Sequence, residues 1–333
     1  MVGMWRSGTS LFYALLNQHP QIGLLYEGDL ALLWPLFLGG KVKTDWAERW
    51  DFWNLGATRH QLDLSGISRR ATDFRGICEA AWRQYAGDAI GGEKSPNYFD
   101  ILPKLAREFP NARFIIIWRN PTDVCRSIVR ASSDSFFGKS GMILRGLLGC
   151  RELKTGFDTL VAQGTPVHEV QYERLIDDPS EVMAGVCRFL HLPFDPRMGN
   201  LRNADRSAIY NGDHHEMVKS ERIARTSKQE VLPESVLRKI DRYIVAWHQQ
   251  YGDGWPALPQ SDGRKPSRWF AIERTLDRVV YRGLRSFDQA VVILYSFGPL
   301  ALLKKYREMR GRGETLPVKR ESKEALVEMS AKD

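Results

Sequence analysis

The feature that most constrains this chain is its opening, Gly3-Met4-Trp5-Arg6-Ser7-Gly8-Thr9-Ser10, followed at once by an apolar run from Leu11 to Leu16. A glycine-rich turn between a strand and a helix wraps backbone N–H groups and the positive helix end around an anion. In the phosphate-loop pattern G-x-x-x-x-G-K-[ST], a Lys then reaches the terminal phosphoryl group. Here Thr9 stands where that Lys belongs, Ser10 follows it, and Arg6 sits within the loop. Such a loop keeps the anion cradle and is not built for an ordinary nucleoside triphosphate. The strand feeding it is confined to Met1–Met4, short against an average of about five to six residues. A segment preceding Met1 is therefore an open expectation, and the compartment depends on it.

Downstream, short apolar runs alternate with helical spacing. The pattern predicts helices over Thr9–Asn17, Asp73–Ala86, Tyr98–Phe109, Pro121–Ala131, Leu144–Gln163, Pro179–Leu190 and Glu234–Tyr251. Strands are predicted at Ile22–Leu25, Ala89–Glu93, Arg113–Trp118 and Val167–Gln171, and irregular helices lining a cleft over Asp29–Trp53. The continuous run Phe114-Ile115-Ile116-Ile117-Trp118 suits a strand buried on both faces. The expected fold is α/β, a central parallel sheet flanked by helices of the phosphate-loop nucleotide-binding type, with ligands outside the C-terminal strand ends. Gly252–Pro266, dense in Gly and Pro, reads as a linker. The expected division is an α/β domain over 1–260, a basic amphipathic helical appendage over 261–310, and a disordered tail over 311–333.

Charge is unevenly placed. The formal net charge is +8, yet Arg264–Arg320 holds fourteen Lys or Arg against five Asp or Glu, and residues 1–263 are nearly neutral. A nucleic-acid footprint over the core is not expected. The four cysteines are scattered, with no pair at metal-ligand spacing, so a reducing compartment and no structural metal are expected. No secretory leader and no run of eighteen apolar residues is visible. The sequence therefore leads one to expect a cytoplasmic protein, with membrane association as an option and a revision if a segment precedes Met1.

Phosphoryl transfer from a triphosphate needs an Asp at the end of a buried strand to hold magnesium. The best buried strand here ends in Trp118-Arg119, a cation in that place. Ser127 follows on the helix opened by Pro121, flanked by Arg126 and Arg130. Arg119, Ser127 and Arg130 can form a second anion pocket, since the planar guanidinium fork suits phosphate.

This combination resembles the sulfotransferases that use 3′-phosphoadenosine 5′-phosphosulfate (PAPS). Three segments carry the likeness: Arg6-Ser7-Gly8-Thr9-Ser10, similar to the 5′-phosphosulfate loop; Trp118-Arg119-Asn120-Pro121 through Ser127, similar to the 3′-phosphate site; and Gln171-Tyr172-Glu173-Arg174-Leu175 with Asp178-Pro179. They span roughly residues 1–195, and the spacing is closest to the branch that includes protein-tyrosine sulfotransferases. In that branch a Glu follows the loop Arg at the distance of Glu27, and a Lys precedes a Pro-containing helix at the place of Lys94 in Gly92-Glu93-Lys94-Ser95-Pro96. Arg130 departs by one position from the branch's next helix Arg.

The resemblance implies metal-free, in-line transfer of a sulfuryl group from PAPS to an acceptor hydroxyl. It makes Glu27 the base, helped by partial desolvation and a raised pKa, with Asp29 as its nearest rival. Lys94 and the loop N–H groups, with Arg6, stabilise the leaving phosphate oxygen. Arg6, Ser7, Gly8, Thr9, Ser10, Arg119, Ser127 and Arg130 bind the nucleotide. Tyr172 packs near the adenine or belongs to the core. Glu93 beside Lys94 has the alternative of a surface ion pair. Arg222, Arg225 or Lys228 can close over the nucleotide. His19, His191, His214 and His215 read as structural or solvent-facing. Trp34, Trp46, Trp50 and Trp53 stack on an acceptor or belong to the core. The acceptor itself (glycan, lipid, small molecule or protein tyrosine) is not specified. Two competing functions remain, a phosphate-loop nucleotide or small-molecule kinase and a non-catalytic, membrane-associated nucleotide-binding protein.

In the C-terminal part, Trp269, Ile272, Leu276, Val280, Leu284 and Phe287 recur at helical spacing, with Arg274, Arg278, Arg282 and Arg285 on other faces. This basic amphipathic helix has three destinations: the core, a second subunit, or an anionic membrane surface.

Overall fold

The computed structural model describes residues 1–31, 45–54, 60–71, 73–131, 138–209, 218, 221, 223, 231–259 and 267–309. Five parallel strands carry the fold: β1 (Val2–Gly3), β2 (Ile22–Tyr26), β3 (Ile90–Lys94), β4 (Phe114–Trp118) and β5 (Val167–Gln171). β4 lies between β1 and β5, and β2 pairs with β3. Met1 joins the two groups. Its amine donates to the Glu93 carbonyl at 2.8 Å, and its carbonyl accepts from the Ser95 N–H at 3.1 Å. That is the parallel ladder pattern on both sides of Lys94, so the strands run β2-β3-β1-β4-β5.

The apolar run in β4 has a direct physical reason. Phe114, Ile116 and Trp118 enter one core, while Ile115 and Ile117 enter another on the opposite face. Successive side chains alternate faces, and both faces are covered by helices. The second core is filled by α1 (Thr9–Leu16) and α9 (Pro179–Leu190). The first is filled by α4 (Phe74–Ala86), α5 (Leu102–Glu108), α6 (Pro121–Ala131), α7 (Gly138–Ala162) and α10 (Glu234–Tyr251). The α/β class expected from the alternation is thus the observed one.

Helix starts follow sequence chemistry closely. Pro121 and Pro179 occupy first helical positions, where no N–H is needed. Asn120 accepts from the Thr122 N–H at 2.9 Å, Asp178 from the Glu181 N–H at 2.9 Å, and Asp73 from the Gly76 N–H at 2.7 Å. Other boundaries differ from expectation. The helix expected over Tyr98–Phe109 is a 3₁₀ turn at Pro96–Tyr98 followed by α5. α7 begins at Gly138 rather than Leu144, and the irregular region after Asp29 holds a regular helix, α2 (Trp46–Asn54). Short helices α3 (Leu64–Arg70) and α8 (Tyr172–Asp177) carry too few periodic positions to have been expected.

The C-terminal segment forms a 30-residue helix, α11 (Arg268–Phe297), and α12 (Leu300–Met309). α11 packs against α7 and α2, and polar contacts tie it to α7 and α10. Tyr281 donates to Glu152 at 2.7 Å, Arg145 pairs with Asp288 at 2.8 Å, Lys239 with Asp277 at 2.6 Å, and Arg242 with Glu273 at 2.8 Å. Of the three destinations for this helix, packing on the core is realised. Among the described residues, no helix is long and apolar enough to cross a membrane. Tyr210–Met217, Arg222, Arg225, Lys228, Trp34 and residues 311–333 lie outside the described residues, and with them the His214-His215 pair, the candidate closing loop and the expected tail.

Candidate active site

The site forms at the C-terminal ends of β1, β2, β3 and β4. Gly8 precedes α1 with φ +90°, and a Cβ there would collide with the Tyr172 ring, so only glycine fits. Arg6 also adopts a left-handed conformation, φ 69°. Glu27 (φ 49°) and Asp29 (φ 54°) do the same on the turn leaving β2. Such conformations cost a non-glycine residue about 1–3 kcal/mol and gather where function holds them. The loop is tied down by Ser7, whose hydroxyl donates to the Met4 carbonyl at 2.6 Å. Ser10 shares a 2.7 Å hydrogen bond with the Tyr26 hydroxyl.

Register places the acid beside the cation. In the β2–β3 ladder Tyr26 stands opposite Lys94, and the Glu27 N–H extends the ladder to the Lys94 carbonyl at 2.7 Å. The Lys94 ammonium pairs with Glu27 Oε1 and lies 3.9 Å from the centre of the Tyr26 ring. Lys94 is fully buried, while the Glu27 side chain keeps 21% of its surface exposed. A buried cation thus backs a carboxylate that still reaches solvent. Glu93, one residue earlier in the strand, points to the opposite face. It does not form the surface pair with Lys94 that adjacency suggested. It is buried, accepts from the Tyr98 hydroxyl at 3.0 Å and from the Trp82 indole at 3.4 Å, and burial followed by the nearby Asp29 charge pushes it up to about 8.

Asp29 completes a second layer. It accepts from the Ser95 hydroxyl and, at 2.9 Å, from the Asn97 amide, whose oxygen accepts from the Trp5 indole at 2.7 Å. Burial first, then the Glu27 charge, raises Asp29 to about 6. Sequence reasoning named Asp29 only as a rival base and missed Tyr26, Ser95 and Asn97. The G-E-K-S-P-N run was the available signal, but the partners converge only through strand register.

Arginines define the other side. Arg119, just past β4, donates to the Arg6 carbonyl at 2.8 Å, and its guanidinium lies 4.3 Å from the centre of the Tyr172 ring. Its Nε is buried without a hydrogen-bond partner among the described residues. Arg6 donates through Nε to the Ser127 hydroxyl on α6 at 3.1 Å. Burial, then the charges of Arg130 and Arg119, lowers Arg6 to about 10. Arg6, Arg119, Ser127 and Arg130 are therefore gathered at one place, with Arg130 on the exposed rim. Tyr172 is buried between Gly8 and Arg119. Glu173 accepts from the Asn120 N–H at 3.2 Å and holds the start of α6 against α8.

Several other expectations resolve into structure. His19 bridges the Pro193 carbonyl at 2.9 Å and the Gln21 N–H at 3.1 Å, and His191 caps α9 in a left-handed turn. Trp46 and Trp50 stack in the core with ring centres 6.4 Å apart, the Trp50 indole donating to the Gly28 carbonyl at 2.7 Å, so neither is open to an acceptor.

A glycine loop opening the helix after β1, with ligand groups at the strand ends, puts the chain among phosphate-loop α/β proteins. A family model described as the sulfotransferase family matches residues 1–196, and the chain belongs to that family. It is 27% identical over 215 residues to a putative protein-tyrosine sulfotransferase of Caenorhabditis briggsae, covering 59% of this chain and 66% of that protein. Over 226 residues it is 27% identical to nodulation protein NoeE of Sinorhizobium fredii, covering 59% of this chain and 50% of that protein. The chain thus spans half to just under two thirds of these relatives. In fold it resembles the sulfotransferase domain of the Synechococcus PCC 7002 olefin synthase, with a TM-score of 0.52 and 20% identity over 72% of this chain and 90% of that one.

Proposed function

We propose that this sulfotransferase moves a sulfuryl group from PAPS to an acceptor hydroxyl without a metal ion. The observation that carries the reading is the buried Lys94 paired with Glu27 beside the glycine loop. One residue can take the acceptor proton while its neighbour meets the charge that develops on the donor. Family membership supports the donor class. The residues present fit such a donor in two ways. Concentrated positive charge at Arg6, Arg119 and Arg130 suits a nucleotide with two phosphate positions, and the buried Arg119 Nε is a donor awaiting an acceptor.

In this reading Arg6, Ser7, Gly8, Thr9 and Ser10 cradle the 5′-phosphosulfate, and Arg119, Ser127 and Arg130 take the 3′-phosphate. Tyr172 is a positioning residue that holds Arg119 through its ring face and forces Gly8 to remain glycine. Glu27 accepts the acceptor's proton as the new O–S bond forms. The S–O bond to the phosphate breaks, its electron pair stays on the phosphate oxygen, and Lys94 with the loop N–H groups stabilises that oxygen. The strained turn at Glu27 and Asp29 aims the base, and the Ser95–Asp29–Asn97 bonds hold that turn in place. Residues 1–260 carry this chemistry and the C-terminal helices are an appendage to it.

Calorimetric titration with 3′,5′-phosphoadenosine, with and without magnesium, tests the donor half. Tight binding independent of magnesium is expected, weakened in Arg119→Ala. Binding only of ATP with magnesium would favour the kinase reading, and unchanged affinity in Arg119→Ala would remove the two-anion site.

A further inference from the structure

Between α11 and the core lies a cavity of about 480 Å³, within the range of small-molecule sites of about 300–1,000 Å³. Much of its wall is apolar: Phe99, Ile101 and Leu105 from the core, Val291, Val292 and Ile293 from α11. Trp5 and Asn97 also line it. Trp5 is the residue before Arg6 in the glycine loop, and Asn97 holds Asp29 on the turn that carries Glu27. The cavity therefore borders the loop and the turn that carry the candidate active site. Of its charged lining, Arg285 pairs with Asp100 and Asp288, Asp288 also pairs with Arg145, and Lys104 is exposed to solvent. Both carboxylates of the lining are already paired, and an uncharged apolar group gains by leaving water against the apolar walls.

We propose that this cavity is the acceptor subsite, and that the acceptor is an alcohol whose apolar alkyl portion lies under α11 while its hydroxyl reaches Glu27. The assignment rests on the sulfuryl-transfer reading and narrows its acceptor class. The test is binding of straight-chain 1-alkanols from butanol to dodecanol to the full chain saturated with 3′,5′-phosphoadenosine, followed by calorimetry and by Trp fluorescence. Affinity should rise roughly threefold to fourfold per methylene until the cavity is full. Val292→Trp, or the milder Val291→Phe, should flatten that dependence and leave nucleotide affinity unchanged. Intact nucleotide binding with no chain-length dependence overturns the subsite and leaves the donor reading standing. Loss of nucleotide binding in the unmodified chain overturns the donor reading and the subsite with it.

A separate observation concerns the outer face of the same helix. Trp269, Ile272, Leu276, Val279, Val280 and Leu294 are each more than half exposed, along about 38 Å of helix. All three acids of α11 (Glu273, Asp277 and Asp288) turn inward to cations of the core or of α11 itself. The exposed charges of the helix are basic, Arg268 and Arg282 among them, beside the exposed apolar side chains and a few neutral polar ones. Two such faces brought together would oppose like charges. An anionic lipid surface complements both their apolarity and their charge. We infer that α11 lies in the plane of an anionic membrane surface. Flotation of the full chain with phosphatidylcholine vesicles, with and without phosphatidylserine, tests this. Binding should require the anionic lipid, fall with salt, and drop at least about tenfold in Leu276→Glu/Val280→Glu and in Arg274→Glu/Arg282→Glu, with melting temperature confirming folding. Equal binding to neutral vesicles, no flotation, or a dimer dissociated by the same variants would overturn it.

Discussion

Two regions of this molecule handle charge in opposite ways. Around the glycine loop, Arg6, Arg119 and Arg130 lie close enough that like charge helps lower Arg6 to about 10. Along α11, every carboxylate faces a cation: Glu273 with Arg242, Asp277 with Lys239, Asp288 with Arg145. Balanced pairs dock one element on another and ask nothing of a ligand. Concentrated charge of one sign is destabilising by itself and is relieved by an anion. The contrast teaches where to look for ligand chemistry: charge of one sign gathers in the first region, and opposite charges pair in the second.

The largest effect should come from the base. Glu27→Gln should lower turnover by roughly 10²–10⁴-fold while nucleotide affinity changes little, as read by initial rates beside calorimetry. Arg119→Ala should weaken 3′,5′-phosphoadenosine by about tenfold to a hundredfold, the worth of a charged hydrogen bond, and leave the melting temperature nearly unchanged. The reverse pattern belongs to α11. Asp277 accepts from Lys239 and from the Tyr243 hydroxyl at 2.9 Å, and Asp277→Ala should cost about 1–3 kcal/mol in denaturant unfolding with nucleotide affinity retained. A variant in either region that moved both readouts would blur the contrast.

A smaller, pH-dependent effect lies behind the site. Asp29 and Glu93 are raised to about 6 and about 8 by burial and by neighbouring carboxylates, against about 4 in the unfolded chain. The folded state therefore holds more protons between about pH 4 and pH 8, and stability should fall as pH rises through that window. Glu93→Gln should flatten the part from about pH 6 to 8, as read from denaturant midpoints. The smallest effect is expected at the exposed Lys304–Glu48 pair, where Lys304→Ala should change stability by no more than about 0.5 kcal/mol.

Much of the frame was legible because its signals are local. Pro121 and Pro179 set helix starts to the residue, the β4 run announced a doubly covered strand, and the two glycines marked the loop. Lys94 and Glu27 were legible as residue types at family spacing, but their contact was not. It depends on the β2–β3 register that sets Tyr26 opposite Lys94. The alternative of a Glu93–Lys94 surface pair falls because adjacency in sequence means opposite faces in a strand. Trp46 and Trp50 left both alternatives open, because a cluster of aromatics looks alike in a core and in a cleft until burial is known, and burial decides for the core. Asp29 drew little notice because its significance is burial beside Ser95 and Asn97, across more than sixty residues of chain.

The central claim is that Lys94 and Glu27 transfer a sulfuryl group without a metal. Transfer of label from radiolabelled PAPS to a 1-alkanol, in the presence of EDTA, tests it most directly on the unmodified chain, Glu27→Gln and Lys94→Ala. The account predicts transfer that EDTA leaves unaffected and that falls by at least about a hundredfold in each variant. Transfer abolished by EDTA, or retained in either variant, would contradict it.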